Sequence, residues 1–111
     1  MGAGEDNGDP NYWIDQKDLA KSFFDYMSGK HGNKGHVLYE LANEPHGVSW
    51  SRIKSYSEQI IPIIRANDPE GIILVGTRAW SSLGVGEGSG PDEVISNPIS
   101  PVLSHNIAYT F

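Results

Sequence analysis

Stretches in which apolar positions recur every three or four residues alternate along the chain with shorter, mainly apolar stretches. Each change of pattern marks a new element. Between residues 14 and 30 apolar side chains recur every three or four positions, which predicts an amphipathic helix. Residues 49–66 repeat this pattern and predict a second helix, which Pro62 should kink because it lacks a backbone N–H. The inner face of the first helix is expected to carry Leu19, Ala20, Phe23, Phe24, Tyr26 and Met27. That of the second is expected to carry Ile53, Tyr56, Ile60, Ile61 and Ile64.

Three shorter stretches are apolar enough to form strands. Residues 37–44 combine β-branched and aromatic side chains and are bounded by Gly35 and Pro45. Residues 71–77 are continuously apolar, which is typical of a parallel strand covered on both faces. Residues 106–111 predict a third strand.

Two segments have the composition of loops. Residues 1–10 are rich in Gly, Asp and Asn, and residues 78–105 are rich in Gly, Ser and Pro, with one helical turn expected near residues 92–95. A loop as long as the second one is usually functional or disordered. The order helix, strand, helix, strand, loop, strand predicts an α/β fold with a parallel sheet and right-handed crossovers.

Composition excludes several classes of function. The 111 residues suit one domain, and the net charge of −6 disfavours binding to nucleic acid or to an anionic membrane surface. No apolar run is long enough to cross a bilayer. Without cysteine there is neither a disulfide nor a thiolate metal site, and the four histidines lack the spacing of a helical metal pair. We therefore expect no metal and no cofactor.

Sites in parallel α/β proteins form at the carboxyl ends of the strands, and the first strand ends on Asn43, Glu44, Pro45 and His46. A carboxylate beside an amide suits proton transfer and the binding of a hydroxyl group. A loop glutamate without a function is the alternative. Pro45 should keep Glu44 extended, and the shared parity of Glu40 and Glu44 should direct both to one side of the sheet.

The segment VLYELANEPHG, residues 37–47, resembles the fourth-strand signature of glycoside hydrolase family 5, and in particular of its bacterial endo-β-1,4-glucanases. Further similarities follow in the family's order. Residues 18–32 resemble the preceding helix, residues 60–69 the following helix with its proline, residues 72–81 the fifth strand and residues 106–111 the sixth. The resemblance covers nearly the whole chain.

The resemblance implies that residues 1–111 are one segment of an incomplete (β/α)8 TIM barrel, from about helix 3 through strand 6. Glu44 then matches the acid/base carboxylate, and Asn43 matches the amide that binds the 2-hydroxyl of the sugar being cleaved. Trp80 matches an aromatic residue of the substrate cleft, where an indole can cover a sugar face; packing beneath the loop is the alternative. His46 either contacts the substrate or caps the turn.

The resemblance further implies a retaining endoglucanase that acts on β-glucan outside the cell. Retaining glycosidases need two carboxylates about 5–5.5 Å apart, and the family's nucleophile lies on strand 7. The 111-residue chain is therefore expected to be inactive alone. The alternative is a carbohydrate-binding or self-assembling fragment without turnover, whose unpaired strand edges would bind further copies or the complementary barrel segments.

Overall fold

The computed structural model describes residues 11–111, so the loop predicted over residues 1–10 lies outside the described part of the chain. The elements in chain order are α1 (Tyr12–Asp15), α2 (Lys17–His31), β1 (Leu38–Glu40), α3 (Trp50–Asn67), β2 (Ile72–Gly76), α4 (Arg78–Ser81), α5 (Asp92–Ile95) and β3 (Ile107–Thr110). Short 3-10 turns cover Val85–Glu87 and Pro101–Leu103.

The three strands form one parallel sheet in the order β1–β2–β3. Leu38 lies opposite Ile72 at the start of the sheet, and Gly76 lies opposite Thr110 at its end. Helix α3 forms the crossover between β1 and β2. The predicted α/β architecture with parallel strands is confirmed, and the carboxyl ends of all three strands lie at the same edge.

The core lies between the helices and one face of the sheet. Tyr39 on β1 is buried between two exposed neighbours, and Ile73 and Val75 on β2 are fully buried. Ile72, by contrast, is 46% exposed. The expectation that β2 is covered on both faces is thus wrong for the described chain, because its helices cover only one face of the sheet.

Helix α3 follows its prediction closely. The Ser49 hydroxyl accepts a hydrogen bond from the Arg52 N–H at 3.2 Å, so Ser49 is the N-cap. The helix continues through Pro62, which is exposed. All five residues predicted for its inner face are buried, namely Ile53, Tyr56, Ile60, Ile61 and Ile64.

Helix α2 differs from its prediction in its start and in its buried face. The helix is interrupted at Gln16, which separates α1 from α2. The Asn67 side chain donates to the Ser28 hydroxyl at 3.0 Å, so the stripe around Ser28 packs on α3. The buried residues are Ala20, Phe24 and Ser28. Leu19, Phe23 and Tyr26 are exposed, because the apolar arc of α2 is wider than the surface that α3 covers.

Strand β1 is shorter than the predicted residues 37–44. The buried Tyr56 hydroxyl donates to the Leu41 carbonyl at 2.7 Å, so this carbonyl bonds to α3 at the point where β1 ends. Glu44 has a φ of +43°, in the left-handed region. The expectation of an extended Glu44 is therefore wrong, and because β1 ends at Glu40, the parity argument does not extend to Glu44.

Candidate active site

Two loops lie side by side at the carboxyl edge of the sheet, one after β1 and one after β2. The Trp80 N–H donates to the Pro45 carbonyl at 3.0 Å, and the Gly47 N–H donates to the Glu87 carboxylate at 2.6 Å. The structure therefore brings together all the residues that the sequence nominates for the site: Asn43, Glu44, His46 and Trp80.

Asn43 and Glu44 lie at the tip of the loop after β1, and both are exposed. The left-handed conformation of Glu44 costs on the order of 1–3 kcal/mol for a residue with a Cβ, and it persists only where the surroundings enforce it. The exposed carboxylate and amide are adjacent at the strand edge, where both can reach a ligand bound over the sheet.

His46 and Trp80 form a stacked pair next to Glu44. Their ring centroids lie 4.6 Å apart with an angle of 12° between the planes. The Nδ1 of His46 lies 3.0 Å from the Glu44 carbonyl oxygen, which assigns the ring proton to Nδ1 because a carbonyl can only accept. His46 thus caps the turn, and Trp80 keeps half of its surface exposed (50%) instead of packing beneath the loop.

The backbone after β2 is left-handed over several consecutive residues. Ala79, Trp80 and Ser81 have φ values of 61°, 56° and 60°. The buried Thr77 holds this turn, since its hydroxyl donates to the Thr110 carbonyl at 2.9 Å and accepts from the Leu83 N–H at 3.1 Å. The turn that carries Trp80 is therefore tied to the neighbouring strand β3.

Gly76 allows the two loops to approach each other. A Cβ at this position would lie 2.6 Å from the Ala42 carbonyl oxygen and 3.0 Å from the Cδ of Pro45. Only a residue without a side chain fits at such distances. The end of β2 therefore packs directly against the chain segment that leads into Glu44.

Sequence reasoning missed an ion-pair network behind the site. The Arg78 Nε donates to Glu87 at 2.8 Å, and its Nη1 donates to Glu93 at 3.3 Å. The Gly47 N–H, and secondly Arg78, hold the pKa of Glu87 below its ordinary value, and Glu87 in turn raises the pKa of Arg78. The acidic residues lie in a Gly-rich loop typical of solvated charges. The only feature of the sequence that pointed to this network was the position of Arg78, which a single residue separates from the end of β2.

Two other residues, Trp50 and Glu40, lie outside this arrangement. Trp50 is buried and donates its indole N–H to the Asn97 carbonyl at 2.8 Å, which gives it a packing role. Glu40 is exposed. Within residues 11–111, no group of three or more His, Asp or Glu side chains is arranged to hold a metal ion. Nor does this part of the chain contain a helix long and apolar enough to cross a membrane.

The parallel sheet with its helical crossover fits a segment of an α/β barrel, and comparisons with known proteins specify the family. Residues 5–111 match the family model described as cellulase (glycosyl hydrolase family 5). The chain therefore belongs to glycosyl hydrolase family 5, and the resemblance seen in its sequence is confirmed.

Individual relatives agree with this assignment. Endoglucanase E-5 of Thermobifida fusca is 55% identical over 104 residues, and endoglucanase CelA of Streptomyces lividans is 50% identical over 104 residues. Each alignment covers 94% of this chain and 21% of the relative, so the chain spans about a fifth of the length of these curated relatives.

The solved structures confirm the partial (β/α)8 barrel. The catalytic domain of Thermobifida fusca endoglucanase Cel5A superimposes with a TM-score of 0.80 at 55% identity. The match covers 92% of this chain and 32% of that domain. The three parallel strands thus correspond to one part of a barrel. In the related structures further strands close this barrel.

Proposed function

We propose that this chain contributes the acid/base half of the active site of a retaining endo-β-1,4-glucanase. The observation that carries the proposal is the pair Asn43–Glu44, exposed at the carboxyl end of β1 and flanked by the exposed indole of Trp80. The relatives are endoglucanases, and a variant of the Thermobifida fusca Cel5A domain was solved in complex with cellotetraose. These relatives support a β-glucan as the substrate class.

Glu44 would act twice in the reaction. In the first step its carboxyl group gives a proton to the leaving glycosidic oxygen, while a second carboxylate forms a bond to the sugar C1. In the second step the Glu44 carboxylate takes a proton from water, and this water attacks C1 and releases the second carboxylate. The Asn43 amide would bind the 2-hydroxyl of the same sugar, a hydrogen bond that strengthens as the oxocarbenium-like transition state forms.

Trp80 and His46 would form the sugar-binding platform. The exposed half of the indole offers a flat apolar surface to the C–H face of a glucose unit. His46 is stacked on this ring at 4.6 Å and is within reach of a bound chain beside Glu44. Both residues are therefore proposed to bind substrate, Trp80 through its face and His46 at its edge.

The second carboxylate would come from another strand of the barrel. The two carboxylates that the loop after β2 brings to this edge, Glu87 and Glu93, are both engaged by Arg78. Glu87 also accepts the Gly47 N–H, so neither is free to attack a sugar. We therefore propose that the 111-residue chain has no turnover by itself.

Localisation outside the cell belongs to the same proposal. A β-glucan polymer is too large to enter a cell, so an endoglucanase that hydrolyses it has to meet it outside. Activity that appears only after lysis, with none on intact cells or in the culture medium, would contradict this localisation.

The function is tested in a chimera. This chain replaces the matching segment of the Thermobifida fusca Cel5A domain, and reducing sugar released from carboxymethyl-cellulose is measured. We expect turnover that falls by about a hundredfold or more in Glu44→Gln, because proton transfer contributes that much. Glu70→Gln is the matched control, since this exposed glutamate pairs with His105 beside the amino end of the sheet. A Glu44→Gln variant with unchanged activity would refute the role of Glu44.

A non-catalytic assembly fragment is the second candidate. The observation that favours it is the open sheet, in which β1 and β3 each pair on one side only within the described chain. In this case the isolated chain would bind cellotetraose or associate with itself without hydrolysis, and the chimera would stay inactive. Turnover by the isolated chain would contradict both candidates.

A further inference from the structure

The loop that carries Glu44 is held largely by hydrogen bonds to the loop that follows β2. Gly47 has a φ of +63°, and its N–H donates to the Glu87 carboxylate at 2.6 Å across 40 residues of sequence. The Trp80 N–H holds the Pro45 carbonyl at 3.0 Å. Two left-handed positions, the strained Glu44 and the glycine Gly47, are thus kept in place by contacts from the loop after β2.

We propose that Glu87, oriented by Arg78, is a positioning residue for the acid/base Glu44. This inference rests on the proposed function of Glu44. Glu87 bonds Arg78 through Oε2 and Gly47 through Oε1, so its carboxylate bridges the two loops. A carboxylate that accepts a backbone N–H forms a short, charge-assisted bond, about twice as strong as a neutral one.

The bridge is sheltered enough to hold its geometry. The side chains of Glu87 and Arg78 are 18% and 29% exposed, so both are screened by water only in part. The lowered pKa of Glu87 keeps its carboxylate ionised at neutral pH. Arg78 also donates to Glu93 at 3.3 Å. Within the described chain, Glu93 makes no hydrogen bond to Gly47.

The chemical consequence concerns leaving groups. A general acid has to lie within hydrogen-bond reach of the glycosidic oxygen, and small displacements of a catalytic group lower the rate steeply. Protonation is needed for a sugar leaving group, which is a poor one, and hardly at all for dinitrophenolate, which leaves unassisted. A misplaced Glu44 therefore slows the cleavage of cellotetraose but spares the first step on dinitrophenyl cellobioside.

The first test uses the chimera with Glu87→Ala and, as the matched control, Glu93→Ala. Both glutamates bind Arg78 and are similarly exposed, at 18% and 20%. We expect Glu87→Ala to lower kcat on cellotetraose by about tenfold or more, with less than about a threefold effect on the pre-steady-state burst with dinitrophenyl cellobioside. Glu93→Ala removes only the second partner of Arg78 and leaves the Glu87–Gly47 hydrogen bond in place, so it should change the ratio of the two rates much less than Glu87→Ala does. Equal losses on both substrates in Glu87→Ala would overturn the proposal.

The second test needs no activity and uses the 111-residue chain. Amide hydrogen exchange is measured at Gly47, at Trp80 and at the sheet residue Val75. We expect Glu87→Ala to speed exchange by about tenfold or more at Gly47 and also at Trp80, with Val75 unchanged, and Glu87→Gln to restore protection because its amide oxygen still accepts. An unchanged Trp80 amide would show that Glu87 does not hold the loop. An inactive chimera with these exchange changes would refute the proposed function but not the bridge.

Discussion

Backbone strain concentrates at the residues that the function would use. Glu44 and Trp80 both occupy the left-handed region, at φ values of 43° and 56°, although neither is glycine. Such conformations persist only where several contacts hold them. Here these are the Trp80–Pro45 hydrogen bond, the His46 cap and the Glu87 bridge, all at the carboxyl edge of the sheet.

Gly76 provides a test of the packing beneath this strained loop. In Gly76→Ala the new Cβ would meet the Ala42 carbonyl oxygen at 2.6 Å, so either β2 or the segment that leads into Glu44 has to shift. We expect the free energy of unfolding in urea to fall by about 1–3 kcal/mol. Gly35→Ala is the control, because a Cβ there meets nothing within 4 Å, and its effect should stay within about 0.5 kcal/mol. Equal stability of the two variants would contradict the close contact.

Part of the site was predictable from the sequence for a physical reason. Asn43, Glu44 and Trp80 follow the ends of apolar stretches, and the ends of parallel strands meet at one edge. The left-handed backbone of Glu44 was not predictable, because contacts with the other loop enforce it. Glu87 was missed because its partner Gly47 lies 40 residues away and sequence patterns report only local periodicity.

At the scale of elements, Tyr39 and Asp68 link β1 to the end of α3. The Tyr39 hydroxyl donates to the Asp68 carboxylate at 2.8 Å in the buried interior. Burial, and then the hydrogen bond with Asp68, raise the pKa of Tyr39 to about 12. In the unfolded chain the pKa of a tyrosine is about 10, so the hydroxyl group loses its proton more readily there than in the folded chain.

This link predicts a loss of stability in alkali. Because the folded pKa lies above the unfolded one, the contribution of Tyr39 is fully present below about pH 10 and is lost as the pH rises toward about 12. Tyr39→Phe should be less stable near neutral pH by about 1 kcal/mol and show a shallower decline in this window, measured by urea unfolding. The exposed Tyr26→Phe is the control and should keep the full decline. An unchanged decline in Tyr39→Phe would refute the assignment.

The helices and strands were predicted more accurately where their apolar side chains are more completely buried. Helix α3 was predicted with its approximate bounds and its inner face, because its apolar stripe is buried along its whole length. For α2 only Ala20 and Phe24 of the predicted inner face are buried, since several of its apolar side chains remain uncovered by α3. Strand β1 was predicted too long because the Tyr56–Leu41 hydrogen bond, a contact with α3, is invisible in the local pattern.

At the scale of the whole molecule, the described chain is an open piece of a barrel. Strands β1 and β3 are both sheet edges, and a groove of about 420 Å³ runs beside β1, lined among others by Phe23, Met27 and Leu38. Phe23 and Leu38 are 43% and 55% exposed. Relatives of this fold close the barrel with additional strands, and such strands would cover exposed apolar residues at this edge of the sheet.

The open edges predict self-association of the isolated chain. Unpaired backbone groups on β1 and β3 are templates for pairing, so we expect the apparent mass in sedimentation velocity to rise with concentration. Ala108→Lys places a charge on the exposed surface of β3 and should shift the onset of association to higher concentration. Ser51→Lys adds the same charge at an exposed position of α3 instead of on a strand, and should leave the onset closer to that of the unaltered chain. A monomer at every concentration tested would mean that the edges are protected, and the assembly candidate would lose its support.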